Sequence, residues 1–176
     1  MPRKTVEQTP ELPAIVVGVD GSAPSILALR WARALAPLLS AHIRAVSSWQ
    51  FQIAFGTFTP VIRNPEEDAR KICAEAVDKA FVGVPPAGLE MVVIQGPAAK
   101  VLVDESRTAQ MVIVGSRGYG GFEGLLLGAV SATVAEHAKC PVLVAHGTTL
   151  PAGLADIPGQ SSAEVGRQAG SSHALP

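Results

Sequence analysis

The chain has 176 residues, a formal net charge of -1 and 48% hydrophobic residues, with charged residues at only 16%. That size is one domain by default and carries enough apolar material for a core, while the lack of a basic excess argues against nucleic acid or an anionic membrane as partner. Met1 to Pro13 is polar, holds Arg3, Lys4, Glu7 and Glu11, and shows no export-type apolar stretch. Further on, every apolar run is broken well short of the ~20 residues that span a bilayer. Cys73 and Cys140 form no CxxC or Cys/His cluster, so they read as structural thiols in a reducing cytoplasm, with no metal site implied.

Taken in order, short β-branched runs alternate with amphipathic stretches, the pattern of a parallel α/β sheet. Ile15 to Val19 is a strand apolar on both faces, ending at Asp20-Gly21-Ser22. Ser22 reads as an N-cap and Pro24 as a first-turn residue, and Leu27, Trp31, Ala34, Leu35 and Leu38 follow at helical spacing. Pro37 predicts a kink or an early end to that helix. His42 to Trp49 is a second strand, and Gln50 to Arg63 has no period and reads as a long loop.

Asn64-Pro65-Glu66-Glu67-Asp68 has the cap, proline and acids of a helix start, with Ala69, Ile72, Cys73, Ala76, Val77 and Ala80 on one apolar face. Pro85, Pro86 and Gly88 end it. Glu90 to Ile94 is a third strand, Val101 to Glu105 a short helix, and Met111 to Val114 a fourth strand. A glycine-rich stretch from Gly115 to Gly128 leads into a helix ending near Lys139, and Pro141 to Ala145 is the fifth strand. The reading divides the chain into a flexible start at 1–12, one domain at 13–147, and a Gly/Ser/Ala/Pro tail at 148–176 too poor in apolar residues to order itself.

Two polar interruptions follow directly on buried strands: Asp20-Gly21-Ser22, and Gly115-Ser116-Arg117-Gly118-Tyr119-Gly120-Gly121. Ligands of open parallel sheets collect at the carboxyl ends of strands, where the connections diverge, so both turns are candidates for one site. Gly128-Ala129-Val130-Ser131 opens the next helix, whose unpaired amides and positive dipole end suit a phosphate. For the glycines alone, a loop that merely turns the chain fits as well. A GK[ST] sequence and a GxGxxG are both absent, which demotes the P-loop and dinucleotide readings. Ser116 lacks the GxSxG elbow, so a serine hydrolase is disfavoured, and His42, His137, His146 and His173 show no triad or ligand spacing.

Gly115-x2-Gly118-x9-Gly128, together with Val17-Gly18-Val19-Asp20-Gly21-Ser22 and His137-Ala138-Lys139-Cys140-Pro141-Val142, resembles the universal stress protein family over about Pro13 to His146. The resemblance implies an open, doubly wound, Rossmann-like five-stranded parallel sheet ordered 3-2-1-4-5, which sets both turns along one crevice. It implies ATP as ligand, with magnesium arriving on the nucleotide. Asp20 and the backbone at Gly18 and Val19 would then lie near sugar and base, with Val46 offering a backbone contact to the adenine. Gly115, Ser116, Arg117 and Gly118 would approach ribose and phosphates, and Gly128, Ala129, Val130 and Ser131 the terminal phosphates.

The family pattern favours Ser or Thr where this chain has Ala129, and Ser131 is the residue that could compensate. The resemblance also implies a cytoplasmic homodimer joined at the edge of strand five, acting as a nucleotide-dependent regulator rather than an enzyme, at most a slow ATPase. Other readings are a stress-response dimer that binds no nucleotide and a flavin carrier or adenylating ligase on the same sheet.

Overall fold

The computed structural model describes residues 13–51, 64–118 and 127–155. Two strands are short apolar runs buried between neighbouring strands and helices, β1 (Ala14–Gly18) and β4 (Met111–Gly115), while β2 (His42–Trp49) mixes apolar and polar residues and β5 (Val142–Ala145) is an apolar edge strand only partly covered. With β3 (Glu90–Gln95) they form one parallel sheet in the order β3-β2-β1-β4-β5. Gly18 pairs with Val46, Val17 with Ile113, and Gly115 with Ala145.

Side chains alternate across the strands, and each face carries its own core. Ile15, Val17, Ile43, Ala45 and Ile113 meet α1 (Ala23–Leu35) and α2 (Pro65–Phe81). Val16, Val46, Val112 and Val114 meet α3 (Ala98–Glu105) and α4 (Ala129–His137). The sheet is therefore doubly wound, as the alternation of strands and helices required.

Helices α1 and α2 start where their caps predict, while α3 begins at Ala98, three residues before the expected Val101. Ser22 Oγ accepts the Ser25 amide, and Asn64 Oδ1 accepts the Glu67 amide, with Pro65 and three acids in the first turn of α2. Helix α1 stops at Leu35, two residues before Pro37. That stop overturns one placement: Leu38, expected on the apolar face of the helix, lies beyond its end and is 72% exposed. Ile72 sits at the margin of its stripe in α2 and is partly exposed, because Cys73, Ala76 and Val77 face the sheet instead.

Charge is organised at the amino ends of the strands, away from the glycine turns. Arg44 Nε is 2.7 Å from Glu105 and its Nη1 2.7 Å from Glu90. His42, for which the sequence showed no acidic partner, lies 3.9 Å from that same Glu90 carboxylate. Leu150 packs on the α1/α2 core, and α5 (Ala152–Ala155) makes one further turn, so part of the stretch assigned to the tail by composition has a defined path. The expected flexible start at 1–12, most of the loop at 52–63, the glycine-rich residues 119–126 and the tail at 156–176 with His173 lie outside the described residues.

Candidate functional site

After β1 the chain makes one more sheet contact before turning: the Val19 amide donates to Val46 O at 2.9 Å, and Val19 O accepts Ser47 Oγ at 2.7 Å. Gly21 then adopts a φ of 84°, a left-handed conformation that a residue with a Cβ resists. The turn is tied by Asp20, whose Oδ1 accepts both the Ser22 amide at 3.0 Å and the Ser22 hydroxyl at 2.5 Å. Asp20 is exposed while Ser22 is buried, so the carboxylate stands at the rim and its tether lies beneath it.

After β4 the chain leaves the sheet at Ser116, whose amide donates to Ala145 O at 2.9 Å. It returns at Gly128, whose amide donates to Ser116 O at 2.8 Å and closes the neck of the glycine-rich loop. Gly128 is the N-cap of α4 and makes no side-chain cap bond. The amides of Ala129, Val130 and Ser131 therefore head the helix with no acceptor among the described residues, the state in which a helix start attracts an anion.

Close backbone packing brings the two turns together. A Cβ on Gly115 would fall 2.7 Å from the Pro24 carbonyl carbon and 2.9 Å from the Ser25 nitrogen, so glycine alone lets the first turn of α1 rest on the end of β4. Across the gap, a Cβ on Gly118 would land on Asp20 Oδ2. On the far side, Gly128 stands against Arg117 and Ser116, where a Cβ would be 3.4 Å from Arg117 Cα. Asp20, Gly115, Ser116, Arg117, Gly118, Gly128, Ala129, Val130 and Ser131 thus gather at the carboxyl ends of β1 and β4, where the strand order reverses.

Several of these residues also carry structural contacts. Val46, expected to offer a backbone contact to an adenine, lies inside β2, 2% exposed, and its carbonyl accepts the Val19 amide. Gly18 is small for packing, since a Cβ there would meet Leu102 Cδ1 at 2.8 Å and Val114 Cγ1 at 3.3 Å. Ser131 is 3% exposed and its hydroxyl donates inward to Ser116 O, with Gly128 O at the same 3.0 Å. That hydroxyl clasps the neck of the loop. Sequence reading cast Ser22 only as a helix cap; the Asp-Gly-Ser spacing, an Asx-turn signal, is what could have revealed its bond to Asp20.

Arg117 is exposed and has no carboxylate within ion-pair distance among the described residues. Neither thiol is set up to react: burial pushes the Cys73 pKa up, and burial does the same at Cys140. Among the described residues no cluster of three or more His, Cys, Asp and Glu side chains forms, and no helix is long and apolar enough to cross a membrane.

A parallel sheet with glycine turns after two adjacent strands, meeting beside a helix start that has no side-chain cap, defines a doubly wound α/β protein with its candidate site at the switch in strand order. The chain belongs to the universal stress protein family, whose family model matches residues 12–146. Universal stress protein Rv2623 of Mycobacterium tuberculosis (strain ATCC 25618 / H37Rv) is 36% identical over 139 residues, covering 78% of this chain and 46% of that protein. A universal stress protein of Mycolicibacterium smegmatis is 33% identical over 144 residues, covering 76% and 48%. The chain thus spans about half the length of these curated relatives.

Among solved structures, the universal stress protein UspA from Lactobacillus plantarum superimposes with a TM-score of 0.61 at 18% identity, covering 77% of this chain and 99% of that one. A universal stress protein in complex with cAMP superimposes with a TM-score of 0.59 at 26% identity, covering 79% and 99%.

Proposed function

We propose that the crevice between the β1 and β4 turns binds an adenine nucleotide, ATP with its magnesium as first candidate, and that occupancy sets the conformation of the glycine-rich loop and through it the choice of protein partner. The observation that carries this reading is the pairing of opposites in one small space. An exposed carboxylate, Asp20, abuts Gly118, while the leading amides of α4 lie on the other side of Gly128 without a cap. A nucleoside brings hydroxyl and amino donors to the first and its phosphates bring acceptors to the second. Three amide bonds to a charged group, at about 1.5–3 kcal/mol each, supply a large part of the roughly 8 kcal/mol of micromolar binding. The solved relative in complex with cAMP supports an adenine nucleotide as the ligand class.

The protein acts in this reading as a cytoplasmic homodimeric stress regulator and not as a catalyst of metabolism. Residues 115–131 contain no lysine, so any ATP turnover lacks the lysine that P-loop phosphoryl transfer uses and is slow. The second reading, a stress-response dimer without nucleotide, draws on Ala129 and on the inward engagement of the Ser131 hydroxyl. Releasing bound small molecules by boiling the purified protein, then running the supernatant on an ion-exchange column, separates the two. Adenine nucleotide in the supernatant, or micromolar binding of added ATP by calorimetry, supports the first; neither one would leave the second.

A further inference from the structure

Both donors of Ser22 converge on a single carboxylate oxygen. Its amide lies 3.0 Å and its hydroxyl 2.5 Å from Asp20 Oδ1, and the side chain that does this is only 7% exposed. Ser22 is itself held from the helix side: its carbonyl accepts Ser25 Oγ at 2.9 Å, and its Oγ accepts the Ser25 amide at 3.4 Å. A short side chain tethered through one oxygen keeps the other in a set direction, and here Oδ2 points across the crevice to the space beside Gly118.

We propose that Ser22 is a positioning residue for ligand selection. By saturating Oδ1, it commits Asp20 to present Oδ2 alone, as one aimed acceptor for a hydroxyl or amino donor of the nucleoside. The inference rests on the nucleotide reading above and adds to it the group that confers discrimination. An ionised carboxylate oxygen repels phosphate, so it sorts the neutral half of the ligand. A site built around a hydrogen bond to a substrate donor rejects analogues that lack the donor far more strongly than an apolar pocket rejects a missing methylene. Without the Ser22 hydroxyl only the backbone amide at 3.0 Å still holds Oδ1, so the carboxylate at the exposed rim gains freedom to turn and its aim is weakened.

Calorimetric titration of the full chain with ATP, 2′,3′-dideoxy-ATP and purine riboside triphosphate, which lacks the exocyclic amine, reads this directly. The wild type is expected to bind ATP at least about tenfold more tightly than one of the two analogues, and the analogue that fails identifies ribose hydroxyl or amine as the donor. Ser22→Ala should weaken ATP by about that factor while leaving the poorer analogue unchanged, so the discrimination collapses; Ser22→Thr, which keeps the donor, should restore it. Ser22→Gly repeats the loss at little cost to the helix cap and replaces the alanine variant if that one does not fold. Undiminished discrimination in the alanine or glycine variant overturns the role of Ser22, as does an equal loss for all three ligands. A wild type that binds ATP and both analogues equally overturns this inference alone, whereas a wild type that binds none overturns the nucleotide reading with it.

Discussion

At Gly118 one missing methyl group decides whether the two turns can meet. A Cβ there clashes with Asp20 Oδ2, and swinging the carboxylate aside strains its bonds from Ser22. Gly118→Ala is therefore expected to weaken ATP about tenfold or more by calorimetry while the fold persists; unchanged affinity would remove this turn from the site. Ser106 is fully buried, donates to Val103 O at 2.6 Å and accepts the Lys139 amide at 2.8 Å, joining the end of α3 to the turn before β5. Ser106→Ala should cost about 1–2 kcal/mol in urea unfolding, because the Lys139 amide loses its acceptor. Val82 presents the opposite case: a β-branched residue, 85% exposed, in the left-handed conformation with φ 51° that closes α2. Asparagine tolerates that conformation, so Val82→Asn should raise stability by about 0.5–1 kcal/mol, measured by the same unfolding.

The contact between α1 and β4 holds the site in shape. Gly115 allows the helix's first turn to lie directly on the strand end, and the same turn contains Ser22, the residue that tethers Asp20. Gly115→Ala should thus act twice: overpacking against backbone atoms costs about 1–3 kcal/mol of stability, and moving α1 displaces the Asp20 turn from the β4 turn. Denaturant unfolding reads the first effect and nucleotide titration the second; a variant as stable as wild type would show that the elements have slack here. Elsewhere the elements follow their local signals closely. Asn64, Pro65 and the three acids start α2, and Pro37 goes with the end of α1 at Leu35. The misplacement of Leu38 came from extending a helical period through a proline, where the missing amide and the ring clash end the hydrogen-bond ladder.

In the whole molecule, β5 is an edge strand whose Val142, Leu143 and Val144 are only partly covered, with no strand beyond it among the described residues. An apolar edge of this kind offers unpaired backbone groups to another chain. The proposed homodimer uses it, and light scattering at micromolar concentration should give twice the mass of one chain; a stable monomer would refute that seam.

The amino-acid sequence by itself determined the succession of strands and helices, the glycine turns after β1 and β4, and the exposed acid between strand and helix. Those features follow from periodicity, caps and turn chemistry, which act over a few residues. The strand order came with the family's motifs and not with the periodicity, because which strands lie side by side depends on contacts far apart in the chain. Only the tertiary structure decided that the Val46 carbonyl accepts the Val19 amide, that Gly18 makes room for Leu102, that the Ser131 hydroxyl turns inward to Ser116 O, and that Ser22 holds Asp20. A hydroxyl or carbonyl has no fixed role until its neighbours are known, since whichever partner lies within about 3 Å in the folded chain claims it.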